Sequence, residues 1–380
     1  MKSGLLGLAC LAVLCITLSL GLWPFHSPAN QVAWLNKTDG VSFGNNGTIL
    51  GSGSLKADGL QDCACRSLEI WAQPEYSNAS ATLLAIYTPS NPRLFALRQS
   101  LADLELRTSI QTSNGRLKES RFYVDYAFHD SLEQRKALFI TVTSGFPGTT
   151  VYIDGALART APHFSIPADA FTGNLVVGDS PRQPDSYTGQ IRGIALYGAT
   201  LTVAQVRRHY DTWTTSGRPA ITPGERTLAL YLFDEHAGSV IHNRANAGAD
   251  LCIPRRYVVV NKLFMEPFWT EFSLSRSYWK GVLKNIVGFI PLGICFYAYG
   301  SVILQLKRPT ATVIALGALV SLTIEVLQVF LPTRDSGTTD IVTNTLGTWL
   351  GILSYRALGR FAVTERTSEW SWKRPTRCSS

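Results

Sequence analysis

Three apolar segments crowd the last third of this chain: Val282 to Leu304, Thr310 to Leu331 and Ile341 to about Leu358. Each is close to the roughly 20 residues a helix needs to cross a hydrocarbon core, which limits what the chain can fold into. A fourth apolar segment, Leu5 to Phe25, follows Met1, Lys2, Ser3 and Gly4, and reads as a signal peptide or a retained anchor. It ends in Trp23, Pro24 and Phe25, where a cleavage site would carry small residues, so a retained helix and four spans are expected.

Lysine and arginine beside spans favour the cytoplasmic side. Lys2, the pair Lys307 and Arg308, and the cluster Arg356, Arg360, Arg366, Lys373, Arg374 and Arg377 all fall on one side if there are four spans. Both termini are then cytoplasmic, and the roughly 250 residues between Phe25 and Val282, enough for a core of their own, are extracytoplasmic. The formal net charge of +8 is concentrated at these flanks and in the tail, which argues against nucleic acid as a partner.

The external region reads as all-β. Runs at Ser67 to Gln73, Ala81 to Tyr87, Phe122 to Tyr126, Leu138 to Thr143, Thr150 to Ile153, Asn174 to Val177 and Gln190 to Tyr197 alternate with turn signals, as in a sandwich. Ser144 to Gly148 reads as a hairpin loop, Asp154 and Gly155 as the next turn, and the Gly- and Ser-rich stretch Gly47 to Gly59 as a loop. Cys63 and Cys65 have no zinc-type spacing; Cys252 either pairs with one of them or all three are free thiols. Sequons stand at Asn36, Asn46 and Asn78.

Several side chains of this region are candidates for chemistry, each with a plainer reading beside it. Asp103 and Glu105 alternate, which puts two acids on one face of a strand, and a solvated strand edge accounts for them. Asp154 and Asp179 are candidate calcium ligands, although turn chemistry explains both. Tyr187 and Trp213 could stack on sugar rings or pack in a core.

Ser67-Leu68-Glu69-Ile70-Trp71-Ala72-Gln73-Pro74, Val151-Tyr152-Ile153-Asp154-Gly155 and Leu175-Val176-Val177-Gly178 resemble strands of the concanavalin A-like sandwiches that include laminin-G and pentraxin modules. Tyr187 to Tyr197 followed by Leu201 to Val206 is the most specific part, and Leu228 to Glu235 resembles an edge motif of that family. The resemblance covers about residues 35–256 and implies binding, often of glycans, and in some members hydrolysis by paired carboxylates.

Polar residues inside the apolar segments are costly and call for a reason. Glu325 and Gln328, three apart, share a helix face. Glu325 lies about 10 Å and Asn344 about 6 Å inside their spans at 1.5 Å per residue. Asn285 lies near the outer start of another span, and Arg334, Asp335 and Asp340 occupy the short connection above, where they could pair with Glu325 or cover it. These residues either line a polar pocket in the outer leaflet or hydrogen-bond the helices together. Gly347 and Gly351 form a GxxxG pattern, which permits close helix packing.

Asn285 to Gly293, Ser321 to Arg334 and Asp340 to Gly351 together resemble the VanZ-like family, named for a glycopeptide-antibiotic resistance protein that confers low-level teicoplanin resistance. The resemblance covers about residues 257–360, with the sandwich inserted in the first external loop. The expected layout is an anchor at 1–25, a sandwich at 35–256, an interfacial linker at 257–281 carrying Phe264, Phe268, Trp269, Phe272, Tyr278 and Trp279, a VanZ-like bundle at 282–363 and a basic tail at 364–380.

The fold class is therefore a multi-domain membrane protein, an all-β concanavalin A-like sandwich inserted into a four-span α-helical bundle. Its expected function is to bind an outer-leaflet lipid or lipid-linked cell-wall intermediate while the sandwich holds a glycan or protein, and the VanZ-like resemblance implies an effect on glycopeptide-antibiotic resistance. An adhesion scaffold whose bundle is only an anchor is the alternative, and an interfacial enzyme with Glu325 as base and Arg334 on a phosphate is a third reading. No cofactor is expected beyond calcium in the sandwich. Membrane lipids are the expected partners.

Overall fold

The computed structural model describes residues 2–55, 65–76, 80–111, 117–146, 148–245, 248–272, 276–334 and 336–371. It divides into two compact units: residues Ser27–Lys262, and a helical unit of Met1–His26 with Leu263–Ser380.

The first unit is built from short strands. In chain order they are β1 (Val32–Trp34), β2 (Val41–Phe43), β3 (Ile49–Ser54), β4 (Arg66–Pro74), β5 (Ser80–Tyr87), β6 (Phe95–Ser100), β7 (Asp103–Gln111) and β8 (Leu117–Val124). There follow β9 (Leu138–Gly145), β10 (Gly148–Ile153), β11 (Ala156–Ala161), β12 (Asn174–Val177), β13 (Gly189–Tyr197), β14 (Thr227–Tyr231), β15 (Val240–Ile241) and β16 (Leu251–Cys252). One sheet runs β1-β2-β13-β4-β9-β10-β11, with β14 also pairing β13, and the other runs β15-β16-β3-β12-β5-β6-β7-β8. Both are antiparallel throughout, so the unit is an all-β sandwich of two sheets.

Period-two alternation decides what each sheet face holds. In β6 to β8, Leu97, Leu104, Leu106, Phe122 and Val124 turn into the core, which leaves Arg98, Glu105, Arg107 and Arg121 on the opposite face. The inner faces meet in one buried cluster that includes Val41, Ile70, Leu84, Phe95, Ile140, Phe171 and Ile194. A second cluster covers the far face of the first sheet, where helix α3 (Val203–Ser216) lays Val206 and Trp213 on Phe139, Tyr152, Ala195 and Tyr197. The helix begins with a reciprocal capping box between Thr202 and Gln205 and stops at Gly217, whose φ of 72° suits the left-handed end of a helix.

Several expectations change on contact with this structure. Ile49 to Ser54, read as loop for its glycine and serine, is a strand, because both neighbours supply ladder partners for its backbone; residues 56–59 of that stretch lie outside the described residues. The hairpin loop at Ser144 to Gly148 is tighter than expected, since Gly145 and Gly148 already pair. The Asp154 and Gly155 turn has positive φ at both residues, 49° and 75°, the geometry that matches strand twist in a two-residue hairpin. Strands β1, β2, β6, β11, β15 and β16 had no counterpart in the pattern, and β7 only the strand-edge reading of Asp103 and Glu105. Cys65 is disulfide-bonded, but Cys252 is free and exposed, so the pairing considered for Cys252 is not made.

The helical unit contains α1 (Lys2–Leu22), α4 (Phe268–Glu271), α5 (Arg276–Ala298, continued by a π-helical turn at Tyr299–Ile303), α6 (Pro309–Gln328) and α7 (Thr338–Ser371); the remaining helix, α2 (His129–Gln134), belongs to the sandwich. Among the described residues three helices are long and apolar enough to cross a membrane: Ser3–Leu22, Tyr278–Ile303 and Pro309–Gln328. α7 is not among them, because Thr343, Asn344, Thr345, Thr348 and Arg356 dilute its apolar content. Around α4, Phe264, Phe268, Trp269, Phe272 and Trp279 are all exposed.

α5 and α7 approach with backbone nearly touching backbone. A Cβ on Gly347 would stand 2.2 Å from the carbonyl oxygen of Ile286, and one on Gly351 2.2 Å from that of Ile290. α1 packs Val13, Leu14, Leu18 and Leu22 against Phe289, Leu292, Val320 and Ile324.

Candidate functional site

A cavity of about 340 Å³ opens among α1, α5, α6 and α7. Asn285, Glu325, Gln328, Arg334, Asp340 and Asn344 all line it, so six residues singled out in the sequence share one site. Asp335, the seventh, lies outside the described residues. Lys284, Thr17, Leu20 and Gly21 complete the polar wall and its α1 side.

Each polar group is held by a partner from another element or another turn. Asn285 on α5 donates through Nδ2 to Asp340 Oδ1 at the start of α7, at 2.7 Å. Gln328, at the end of α6, donates to the carbonyl of Gly21 at 2.8 Å. Arg334 donates to the carbonyls of Trp23 at 2.8 Å and Leu20 at 3.3 Å, near the C-terminal end of α1, rather than to Glu325 as was considered. The cation thereby meets the negative end of the α1 dipole and its orphan carbonyls.

Glu325 is 1% exposed, and its Oε2 accepts the Gly337 backbone N–H at 2.9 Å. Ser336 donates its hydroxyl to the Glu325 carbonyl, which ties the connection back onto α6. Asn344, also buried, donates to Ser321 Oγ at 2.9 Å, a partner the sequence gave no sign of. The Asn344 side-chain oxygen is shielded from solvent and accepts no hydrogen bond among the described residues. The cavity thus offers two cations, two carboxylates and amide groups within a mostly apolar helical frame. This suits a small, charged, hydrogen-bonding head group.

What the sequence missed here is α1. Its contribution comes through backbone carbonyls, which no side-chain pattern announces, and through Gly21, whose missing side chain lets Ile324 approach. Lys284 was also passed over, though it immediately precedes Asn285.

In the sandwich the candidates separate. Tyr187 and Trp213 are fully buried and serve packing, so neither is available to stack on a sugar. Asp154 accepts the Phe139 N–H at 3.0 Å, the work of a turn residue. Asp179 is buried and accepts the N–H groups of Ser180 and Asp185, while burial pushes its carboxyl up to about 7. Among the described residues no group of three or more His, Cys, Asp or Glu could hold a metal ion.

Asp103 accepts the Tyr126 N–H. Glu105 is no solvated edge: it is 1% exposed beneath Arg98, Arg107, Arg121 and Tyr123. Burial alone would raise its pKa, but the hydrogen bonds from Arg107 and Tyr123 and the charges of Arg107 and Arg98 hold it below the ordinary value. A carboxylate so neutralised is a poor acid or base.

A further cluster, absent from the sequence reading, lies under α3. His209 is fully buried between Glu69, at 3.1 Å from Nδ1, and Glu225, at 3.1 Å from Nε2. Tyr197 donates to Glu69 at 2.7 Å, and Arg208 pairs with Glu225. Burial would lower the His209 pKa, yet the hydrogen bond it donates to Glu69 and the charges of Glu69 and Glu225 outweigh it and raise it.

Compared with known proteins, residues 230–359 match the VanZ/LLP1 family model. Residues 41–207 match the model of the concanavalin A-like lectin/glucanases superfamily. The VanZ/LLP1 match starts inside the last strands of the sandwich, some way before the first polar residue of the cavity. No curated protein matches the chain. Among solved structures, the binding domain of botulinum neurotoxin DC in complex with rat synaptotagmin II is 16% identical, with 50% of this chain and 46% of that one covered and a TM-score of 0.37. A putative carbohydrate binding protein from Bacteroides ovatus is 12% identical, with 59% and 62% covered and a TM-score of 0.38. The chain spans about half the length of the first of these and under two thirds of the second.

Proposed function

We propose that this chain, which joins a concanavalin A-like domain to a VanZ-like helical region, is a multi-pass protein of the cell envelope that binds the charged head group of an outer-leaflet lipid or lipid-linked cell-wall intermediate. The observation that carries this reading is the cavity itself. Lys284, Arg334, Glu325 and Asp340 converge with three amides on one 340 Å³ space in a region of apolar helices. Glu325, the buried one of these charges, is costly in such surroundings and marks a ligand or ion pathway more often than mere support.

The reading takes α7 as a fourth span. Its polar side chains are turned to neighbours, with Asn344 on Ser321 and Thr348 on the Asn344 carbonyl, which removes much of the cost of placing them in lipid. With four spans, Lys2, Lys307 and Arg308 mark the cytoplasmic side, both termini are cytoplasmic, and the sandwich is external, where it binds a glycan.

One observation favours a second reading, the adhesion scaffold: Gln328 and Arg334 both donate to α1 carbonyls, as residues that only fasten helices would. Glu325→Gln separates the two. It keeps the size and one acceptor for Gly337 but removes the charge. The experiment compares teicoplanin and moenomycin susceptibility of cells with wild type, with Glu325→Gln at matched membrane levels, and without the gene. A several-fold loss of protection in the variant at normal abundance is the expected result. Protection equal to wild type would favour the scaffold, and no difference among all three would end the resistance role.

A further inference from the structure

On the outward face of the second sheet, a groove of about 150 Å³ is lined by Arg93, Arg98, Arg107, Arg121 and Arg182. Among the described residues only Glu119 and Asp185 line it with opposite charge, and Glu105 lies beneath, so five guanidinium groups face three carboxylates there. Arg107 and Arg121 stand directly opposite one another on β7 and β8, a like-charge cross-strand pair that costs stability. Packing needs no such pair on an outward face.

Glu105 explains how the cost is contained and what is gained. Its one carboxylate reaches Arg107 at 2.6 Å, Arg98 at 3.4 Å and Arg121 at 4.0 Å, which fixes three guanidinium groups in place from below. Two of them keep open outer faces, Arg107 at 30% exposed and Arg121 at 46%, while Arg98 is 11% exposed; beside them Arg93, held by Glu119 at 3.8 Å, is 50% exposed. Held donors of this kind bind an anion with little loss of side-chain freedom. Ala85, Ala96 and Pro92 give the groove short apolar surfaces, and Thr82, Ser180 and Gln183 give neutral polar ones. Its volume matches a space that accepts about one six-membered ring.

We infer that this groove binds an anionic sugar residue, a ring that carries a carboxylate or phosphate set against Arg93, Arg107 and Arg121. The inference rests on the reading of the sandwich as a glycan-binding domain and names the class of glycan and the place. Hydroxyls suit the neutral groups, a ring suits the volume, and the anion offsets the excess of guanidinium.

The test uses the full chain in phosphatidylcholine nanodiscs, which carry no net charge. Binding is measured for oligogalacturonate, its methyl ester, glucose 6-phosphate, uncharged oligosaccharides and polyglutamate. The acid or the phosphate sugar should bind, which of the two identifies the anion, and the ester should bind about ten-fold more weakly or worse, the loss of one charge-assisted hydrogen bond. Arg121→Gln should weaken the charged ligands by a similar factor, as should added salt. If Arg121→Gln disturbs the fold, judged by thermal unfolding, Arg93→Gln, half exposed in a loop, takes its place.

Equal binding of acid and ester, unchanged in a folded arginine variant, overturns the inference and leaves the glycan reading intact. Failure of every sugar, charged or neutral, overturns both. Preference for polyglutamate assigns the groove to acidic protein segments and overturns the anionic-sugar assignment.

Discussion

Gly351→Leu is expected to separate α5 from α7 and to leave little folded protein in the membrane. The atoms a side chain would meet are backbone: the Ile290 carbonyl oxygen at 2.2 Å and the Gly293 Cα at 3.0 Å. Gly347 meets the Ile286 carbonyl in the same way, and Gly293 on α5 meets the Thr348 carbonyl at 2.1 Å, so the two helices present small residues to each other along a whole face. A flexible side chain could swing aside, but a helical carbonyl cannot move without the helix. Overpacking ordinarily costs about 1–3 kcal/mol, and a clash with fixed backbone places this substitution at or beyond the upper end.

Gly288→Leu supplies the control, since nothing lies within 4 Å of a Cβ there. Thermal unfolding of detergent-solubilised protein, followed by size-exclusion profile, should show Gly351→Leu aggregated or strongly destabilised and Gly288→Leu near wild type. Equal behaviour would mean that α5 and α7 do not pack as described. Because Asn285, Asp340 and Asn344 are carried by these two helices, the same substitution should also abolish whatever the cavity does.

His209→Ala is expected to loosen α3 from the sandwich by about 3–5 kcal/mol, the usual consequence of taking one partner from a buried ionic group. The imidazole stands between Glu69 and Glu225, all three fully buried, and its removal leaves Glu69 with only hydroxyl partners. Hydrogen exchange of α3 amides in the intact chain is the measurement. A change no larger than a surface substitution would show that the cluster is not held as an ionic group.

The pH dependence has a definite sign. His209 is raised above its ordinary 6.5, so its contribution is complete below 6.5 and is lost as pH rises through the folded value. Burial pushes Glu225 up, but the Thr222 hydrogen bonds and the charges of His209 and Arg208 bring it below 4.5, so its contribution holds above 4.5 and is lost as pH falls through the folded value. α3 should therefore be best protected between about 4.5 and 6.5 and less so at pH 9. His209→Ala should remove most of that difference.

The cavity was legible because its residues break a rule: Glu325, Gln328 and Asn344 sit where the surrounding pattern admits only apolar side chains. The sandwich core was legible where strands such as Asn174–Val177 are apolar and bounded by turns. Most of β7 and the first half of β8, Leu117 to Arg121, escaped because one face carries Glu105, Arg107, Glu119 and Arg121, which mimics a polar loop until the partner strand supplies the register. The Glu69 and His209 pair spans 140 positions, and no local spacing encodes a contact made only when a late helix lies down on an early strand. For the same reason the paired guanidinium groups of the groove became visible only with the strands aligned.

Gln328 and Arg334 grip the last carbonyls of α1, and this turns a question of processing into one of architecture. A peptidase acting just beyond Leu22 would not trim a disposable leader from this unit but extract a wall of the cavity, with the acceptor oxygens of Leu20 and Gly21 and the Gly21 notch that seats Ile324. The mass of the N-terminal peptide in membranes therefore reports more than maturation. It distinguishes a cell that keeps the cavity walled by α1 from one that keeps a cleft open along that flank.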